Sequence, residues 1–300
     1  MDYQVRRVTQ SDREDVMTIA RLTWGGYDYL PFAFDGWLQD PNCYTFGIEI
    51  DGHLVALNNL RLIDDRSTGW MEGLRVNRYH RKRGLARVLT KHIVEFAAET
   101  GVSRVRYTTD TTNAASLKLG QEVGMQRIFD MGVFWAGTDK IEPSGRPGRR
   151  LVNVNAETFY EQFLSSPDLV PNGTLIFDWK AVQVTKSSVL ALEGKCRFWT
   201  SVRRGVLESF SLGLDRKEMK GIEWSFTVYA NDDDAFLSHL GYHLSYAKKH
   251  KYNAAMGTYP LGFRKALLSS PMIPKESRRR FALTLLEKQF SSKSARSLVS

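Results

Sequence analysis

The sequence predicts an α/β fold of the α+β kind, built twice along one chain. Two observations carry that expectation. A strand ("GWMEGLRV"), a basic turn ("RKRGLA"), a helix and a second strand ("SRVRYTTD") follow one another between Gly69 and Asp110, the order of a βαβ unit with a right-handed crossover. The order returns beyond "DKIEPSGRPGRRL", a stretch rich in Pro, Gly and charge: a strand in "IEWSFTVYA", a helix in "DDDAFLSHLGYHLSYAKKHK", a strand in "YNAAMGTYP" and a helix in "GFRKALLSS". Residues 1–140 and 151–300 are therefore expected to form two domains joined by a linker at 141–150.

The elements follow in order. Alternation in "QVRRV" reads as a strand, Ser11 or Asp12 as the cap of a helix, and Val16, Ile19 and Ala20 as its apolar stripe. The aromatic segment "WGGYDYLPFAFDGWLQD" comes next. In "YTFGIEIDGHLVALNNLRLI" two strand-like runs meet at Asp51-Gly52, residues that tolerate positive φ and so mark a hairpin. The helix after the basic turn runs to about Thr100, where Gly101 ends it. At the corresponding place in the second half, Asp232, Asp233 and Asp234 make a good helix start but repel a phosphate, so that copy is expected to be catalytically empty.

Bulk properties narrow the function classes. Three hundred residues, 42% of them hydrophobic, suffice for two cores. No run approaches the roughly 20 apolar residues of a membrane helix, and the polar opening "MDYQVRRVTQSDRED" lacks a signal-peptide core. A soluble, cytoplasmic protein without a membrane partner is expected. Cys43 and Cys196 lie far apart, which gives no disulfide framework and no cysteine-rich zinc site; both are expected reduced, and no metal is expected. The net charge of +9 suits a phosphorylated partner without telling nucleic acid from a nucleotide cofactor. The clusters Lys248-Lys249-His250-Lys251 and Arg278-Arg279-Arg280 lack interleaved aromatics or a nucleic-acid motif, so they read as solvated faces and no nucleic-acid partner is expected.

The basic turn holds the chemistry. A glycine-containing, cationic turn at a helix start is an anion site, because unpaired amides and the helix dipole both favour negative charge. It lacks the Gly-Lys-Ser/Thr ending of a nucleotide triphosphate loop and the G-x-G-x-x-G of a dinucleotide site. It fits Gln/Arg-x-x-Gly-x-Gly/Ala through Arg81, Gly84 and Ala86, and so resembles the acetyl-CoA pyrophosphate loop of the GNAT acetyltransferase superfamily. The segment "NAASLKLGQEVGMQ" resembles a second motif of that superfamily through Asn113, Ser116, Leu119, Gly124 and Met125.

The resemblance implies a GNAT fold with a mixed, largely antiparallel sheet, followed by a diverged GNAT-like domain. It implies acetyl-CoA as cosubstrate, its pyrophosphate on Arg81, Lys82, Arg83, Gly84, Leu85 and Ala86. Asn113 and Ser116 would join that site, and the backbone of Leu74, Arg75 and Val76 would hold the pantetheine arm beside a bulge. It also implies Glu72 as the base that neutralises the amine, since an ammonium has no lone pair. The sequence departs from the family at Gly120, where a tyrosine usually protonates the leaving thiolate; Tyr107 or water are the alternatives.

For the acceptor, "WGGYDYLP" offers aromatic walls in Tyr27 and Tyr29 and a carboxylate in Asp28, a set suited to a small cationic or heteroaromatic amine. "GGYDYLP", "WLQDP", "MEGLRV" and "LVPNGTLIFDWK" further resemble the vertebrate histidine N-acetyltransferases. That resemblance implies the α-amine of a free amino acid, histidine first, as acceptor. A peptide or protein amine, and a non-enzymatic acetyl-CoA binder or basic nucleic-acid module, stay open as other classes.

Overall fold

The computed structural model describes residues 3–142, 148–219, 221–278 and 281–291. The strands are β1 (Gln4–Arg7), β2 (Cys43–Ile50), β3 (His53–Ile63), β4 (Thr68–Val76), β5 (Arg104–Asp110), β6 (Gln126–Gly137), β7 (Val152–Val154), β8 (Thr174–Phe177), β9 (Lys180–Gln183), β10 (Arg197–Arg203), β11 (Val206–Glu218), β12 (Gly221–Ala230), β13 (Ala254–Pro260) and β14 (Phe281–Gln289). The α-helices are α1 (Arg13–Arg21), α2 (Leu30–Gln39), α3 (Leu85–Glu99), α4 (Ala114–Glu122), α5 (Ala156–Phe163), α6 (Lys186–Leu190), α7 (Asp233–Lys249) and α8 (Arg264–Ser269). The chain divides into two compact units: Met1–Tyr107 with Asn113–Ile128 and Leu286–Ser300, and Thr108–Thr112 with Phe129–Leu285. The segment expected to link two domains falls partly on residues 143–147, which lie outside the described residues, as do Arg279 and Arg280 of one basic cluster.

In the first unit the strand order is β1-β2-β3-β4-β5, with the end of β14 beside β5. Antiparallel pairing runs from β1 to β4, and β4 pairs β5 in parallel through the α3 crossover. Helices α1 and α2 bury Val16, Ile19, Phe34 and Trp37 with Leu54 and Leu57 of β3. Helix α3 buries Leu89, Ile93 and Ala97 with Ala56 and Leu60 of that strand. Adjacent residues of a strand face opposite ways, so Leu57 and Ala56 turn to helices on opposite faces. The local signals hold. Asp51 and Gly52 take φ of +51° and +79° between β2 and β3, and Gly101 takes +81° after α3. Asp12, rather than Ser11, stands at the start of α1, without a side-chain capping bond there; its carboxylate accepts from Thr9 N at 2.8 Å.

The second unit repeats the plan. Its order is β6-β13-β12-β11-β10-β7, again mixed, with β12 and β13 parallel across the α7 crossover. Phe236, Leu240 and Leu244 of α7 pack on Trp224, Phe226 and Val228 of β12. Strands β8 and β9 form a separate hairpin. Asp232 caps α7, its carboxylate accepting Ala235 N at 2.8 Å. No helix among the described residues is long and apolar enough to cross a membrane, and both cysteines are free and buried.

Candidate active site

Strands β4 and β5 pair over only three residues, ending at Trp70 opposite Arg106. Beyond that point β4 continues to Val76 paired, among the described residues, with β3. Its register against β3 slips between Leu57 and Asn59, which face Arg75 and Glu72: two steps on β3 answer three on β4. This is a β-bulge, and Gly73 inside it takes φ of +75°. A Cβ there would lie 2.2 Å from the Trp37 ring, so the bulge is seated directly on α2 and admits only glycine.

The bulge sets which backbone groups are presented. Asn77 donates its N–H to Val55 O at 2.8 Å, toward β3. By alternation Arg75 also faces β3, whereas Leu74 and Val76 turn toward the side β5 has left. Their carbonyls accept side chains of this chain, Leu74 O from Arg75 Nη1 at 3.0 Å and Val76 O from Arg81 Nε at 3.2 Å.

Glu72 sits at the same bulge, its side chain 12% exposed. Its Oε1 accepts from Asn59 Nδ2 at 3.1 Å and Arg61 Nε at 3.2 Å, leaving Oε2 outside both bonds. Asn59 is in turn oriented by Thr45, whose hydroxyl donates to Oδ1 at 2.9 Å, and Arg61 also pairs with Asp40. The carboxylate is thus aimed from β3. Sequence reasoning missed Asn59 and Arg61, although a polar Asn58-Asn59 pair inside an otherwise apolar strand is a signal in its own right.

The basic turn leads into α3 with its charges outward. Arg81, Lys82, Arg83 and Gly84 are exposed, Lys82 and Gly84 at φ of +62° and +80°. A Cβ on Gly84 would meet nothing within 4 Å, so the glycine serves the backbone conformation and leaves open space above the first amides of a fifteen-residue helix. Leu85 is 3% exposed in the core, so it can offer this turn only its N–H; Ala86 is half-buried. A pyrophosphate fits here: cations, free amides and room coincide.

The second motif is committed differently. Asn113 caps α4, its Oδ1 accepting Ser116 N at 3.1 Å, and Ser116 O accepts the Tyr107 hydroxyl at 2.7 Å. A Cβ at Gly120 would lie 2.5 Å from that hydroxyl. Tyr107 therefore fills the space that a side chain at 120 would take, which is why the tyrosine expected on α4 is glycine. Burial holds the Tyr107 phenol above its ordinary range.

The segment before α2 is locked rather than open. Asp28 is fully buried and takes Arg75 in two bonds, Nε to Oδ2 at 2.8 Å and Nη2 to Oδ1 at 3.0 Å. Its Oδ1 also accepts Leu30 N at 3.2 Å. The Arg75 guanidinium lies 4.2 Å over the Trp24 ring and 5.2 Å from that of Tyr29, whose own ring meets Trp37 edge-on. Burial raises the Tyr29 phenol well above its usual range. Trp24 and Tyr27 are the exposed aromatics, 64% and 54% accessible. Trp24, which sequence reasoning passed over, is thus exposed along with Tyr27, while Asp28 is buried and Tyr29 half-buried.

The site thus combines a strand that bulges and parts from its parallel neighbour with a basic helix start. Residues 13–125 match the Acetyltransferase (GNAT) family. The histidine N-acetyltransferase of Oreochromis niloticus is 37% identical over 210 residues, 64% of this chain and 62% of that protein. That of Xenopus tropicalis is 24% identical over 212 residues, 66% of this chain and 65% of that protein. The chain thus spans a little under two thirds of the length of these relatives. The solved structure of a tandem GNAT protein from the clavulanic acid biosynthesis pathway superposes with a TM-score of 0.58 at 16% identity, covering 96% of this chain and 98% of that one. Residues 13–125 thus match the GNAT family, and the fold of the chain is that of a tandem GNAT structure.

Proposed function

We propose that this chain is an acetyl-CoA-dependent N-acetyltransferase that acetylates the α-amine of a free amino acid, with L-histidine as its best acceptor. The observation that carries this reading is the parting of β4 from β5 beside a carboxylate held in place. Leu74 and Val76 offer backbone groups to a pantetheine arm lying in that split, and the cationic start of α3 takes the pyrophosphate. Glu72, oriented through Oε1, removes a proton from the acceptor ammonium through Oε2. The neutral nitrogen then forms the N–C bond as the C–S bond breaks. A thiol of pKa about 8.5 is a tolerable leaving group, so the reaction does not need the acid that Gly120 lacks.

Histidine is favoured by the names of the relatives and by the exposed aromatic wall of Trp24 and Tyr27, which suits a flat imidazole. Asp28 takes a different role from the acceptor-binding carboxylate the sequence offered: with its carboxylate spent on Arg75, it positions the bulge. The test is coenzyme A release across a panel of free amino acids and peptide N-termini. Histidine should give the highest kcat/KM. Equal turnover of leucine or peptides would discard the acceptor, and no release with any amine would discard the enzyme.

A further inference from the structure

In the second unit one guanidinium serves three carboxylates. Arg216 Nε lies 3.2 Å from Asp178, Nη2 2.6 Å from Glu218 and Nη1 3.6 Å from Glu223 Oε2. Even with Lys180, whose charge reaches Asp178, the balance is one negative charge in a largely buried place. Burial accordingly pushes both Asp178 and Glu223 above the usual carboxylate range. Such a surplus is costly unless a cation offsets it.

A row of buried hydroxyls continues from Glu223 along the strand. Ser225 Oγ, Thr227 Oγ1 and Thr258 Oγ1 are buried with no hydrogen-bond partner among the described residues, and Glu223 Oε2 has only the 3.6 Å ion pair with Arg216 beside a contact from Trp135. Ser225 and Thr227 are 0% exposed and Thr258 is 1% exposed. Glu223, Ser225 and Thr227 occupy alternate positions of β12 and share one face, and Thr258 is the register partner of Thr227. Buried hydroxyls are nearly always paired, so three on one face call for a polar occupant.

The β8–β9 hairpin spans that face. At one end Ile176 N donates to the Tyr229 hydroxyl at 2.8 Å; at the other, Asp178 meets Arg216. Ile176 and Asp178 are only two residues apart on the hairpin, and Ser225 and Thr227 lie between Glu223 and Tyr229 on the face of β12 that it covers. Trp179, in the hairpin turn, joins Trp135 and Phe281 in an aromatic cluster with centroid separations of 5.2 to 6.2 Å. Anionic oxygen, orphan hydroxyls and flat rings come together here.

We propose that the face of β12 beneath the β8–β9 hairpin is a binding site for a small organic cation with N–H donors, a protonated amine or imidazolium. Its charge offsets the carboxylate surplus at Glu223 and Asp178, its N–H groups reach Glu223 Oε2 and the hydroxyls, and its carbon skeleton lies against the tryptophans. This site is a property of the second unit and does not rest on the acetyl-transfer reading.

The test is titration of the full chain with histamine, without any acyl-CoA, followed by calorimetry and tryptophan fluorescence. Saturable binding is expected, with the fluorescence change lost in Trp179→Phe. Affinity should fall about tenfold in Glu223→Gln and several-fold in Ser225→Ala, which deletes a single hydroxyl and leaves circular dichroism unchanged. Absence of saturation up to about 10 mM, or wild-type affinity in Ser225→Ala together with wild-type affinity in Glu223→Gln, would overturn the site. If Glu223→Gln fails to fold, the Ser225→Ala result alone decides.

Discussion

Glu72 owes its aim to Asn59 and Arg61, two residues of the neighbouring strand that bind the same carboxylate oxygen. Glu72→Gln keeps the shape and removes the base, so kcat should fall by roughly 10²-fold or more while acetyl-CoA affinity is retained. Steady-state kinetics with a separate binding measurement checks this, and unimpaired turnover would return Glu72 to a structural role. Asp28 belongs to another class. Removing it in Asp28→Ala strands a guanidinium that is 11% exposed, and losing one partner of a buried pair costs about 3–5 kcal/mol. Chemical denaturation should show that loss whatever the acceptor. The Arg81–Ala86 turn was legible as a helix start because its signal is local. The Asp28–Arg75 pair was not: its members lie 47 residues apart, and neither one's spacing announces the other. Gly120 was legible as a departure, but its cause, the Tyr107 hydroxyl beneath it, required the fold.

Helices carry the next level, and their ends were the easiest features to read. Caps and terminal glycines act within one turn, so Gly101 and Asp232 could be assigned from neighbouring residues alone. The start of α3 yields a clean variant. Because Gly84 has open space where a Cβ would stand, Gly84→Glu costs the fold only the strain of positive φ, on the order of 1 kcal/mol, yet sets a carboxylate where the pyrophosphate is proposed to bind. Acetyl-CoA affinity should drop in a folded protein; unchanged calorimetric affinity would remove the turn from the site. Helix α7 hides what its apolar stripe did not disclose. Trp224 Nε1, a donor only, gives its proton to His243 Nδ1 at 3.1 Å. His243 Nε2 must then donate to Ser211 at 2.7 Å, Ser211 to His239 Nδ1 at 2.7 Å, and His239 Nε2 to Ser209 at 3.1 Å. Both imidazoles are buried and neutral, His239 pushed down to about 3 by burial and by Arg149, and His243 well below its ordinary value by burial and His239. The unfolded chain takes up protons near pH 6.5 while the folded one does not. This contribution to stability is therefore complete above about pH 6.5 and is lost as pH falls toward 3, at up to about 1.4 kcal/mol per pH unit per histidine. Denaturation between pH 7 and 4.5 should show the decline, and His239→Gln should make it shallower.

At the scale of the whole chain the repeat was visible in the order of elements, because hydrophobic periodicity survives divergence that erases residue identity. Its partition was not, since the compact units exchange ends: residues 129–137 of β6 belong to the second unit and Leu286 onward to the first. No local pattern marks where a strand changes allegiance. The two copies also differ in what they offer an anion, and this fixes a stoichiometry. The first presents Arg81, Lys82 and Arg83, open space at Gly84 and unspent amides at the start of α3. In the second, the Asp232 carboxylate already takes the Ala235 amide, Asp233 and Asp234 fill the first turn with negative charge, and Arg149 is drawn into pairs with Asp232 and Glu208. A pyrophosphate approaching α7 would meet like charge and a capped helix end; one approaching α3 meets the reverse. Calorimetric titration with coenzyme A should therefore end at one molecule per chain, and Gly84→Glu should abolish that single event rather than expose a weaker second one. A stoichiometry of two would mean that the α7 start binds in spite of its aspartates, and the reading of the second unit as an empty copy would fall.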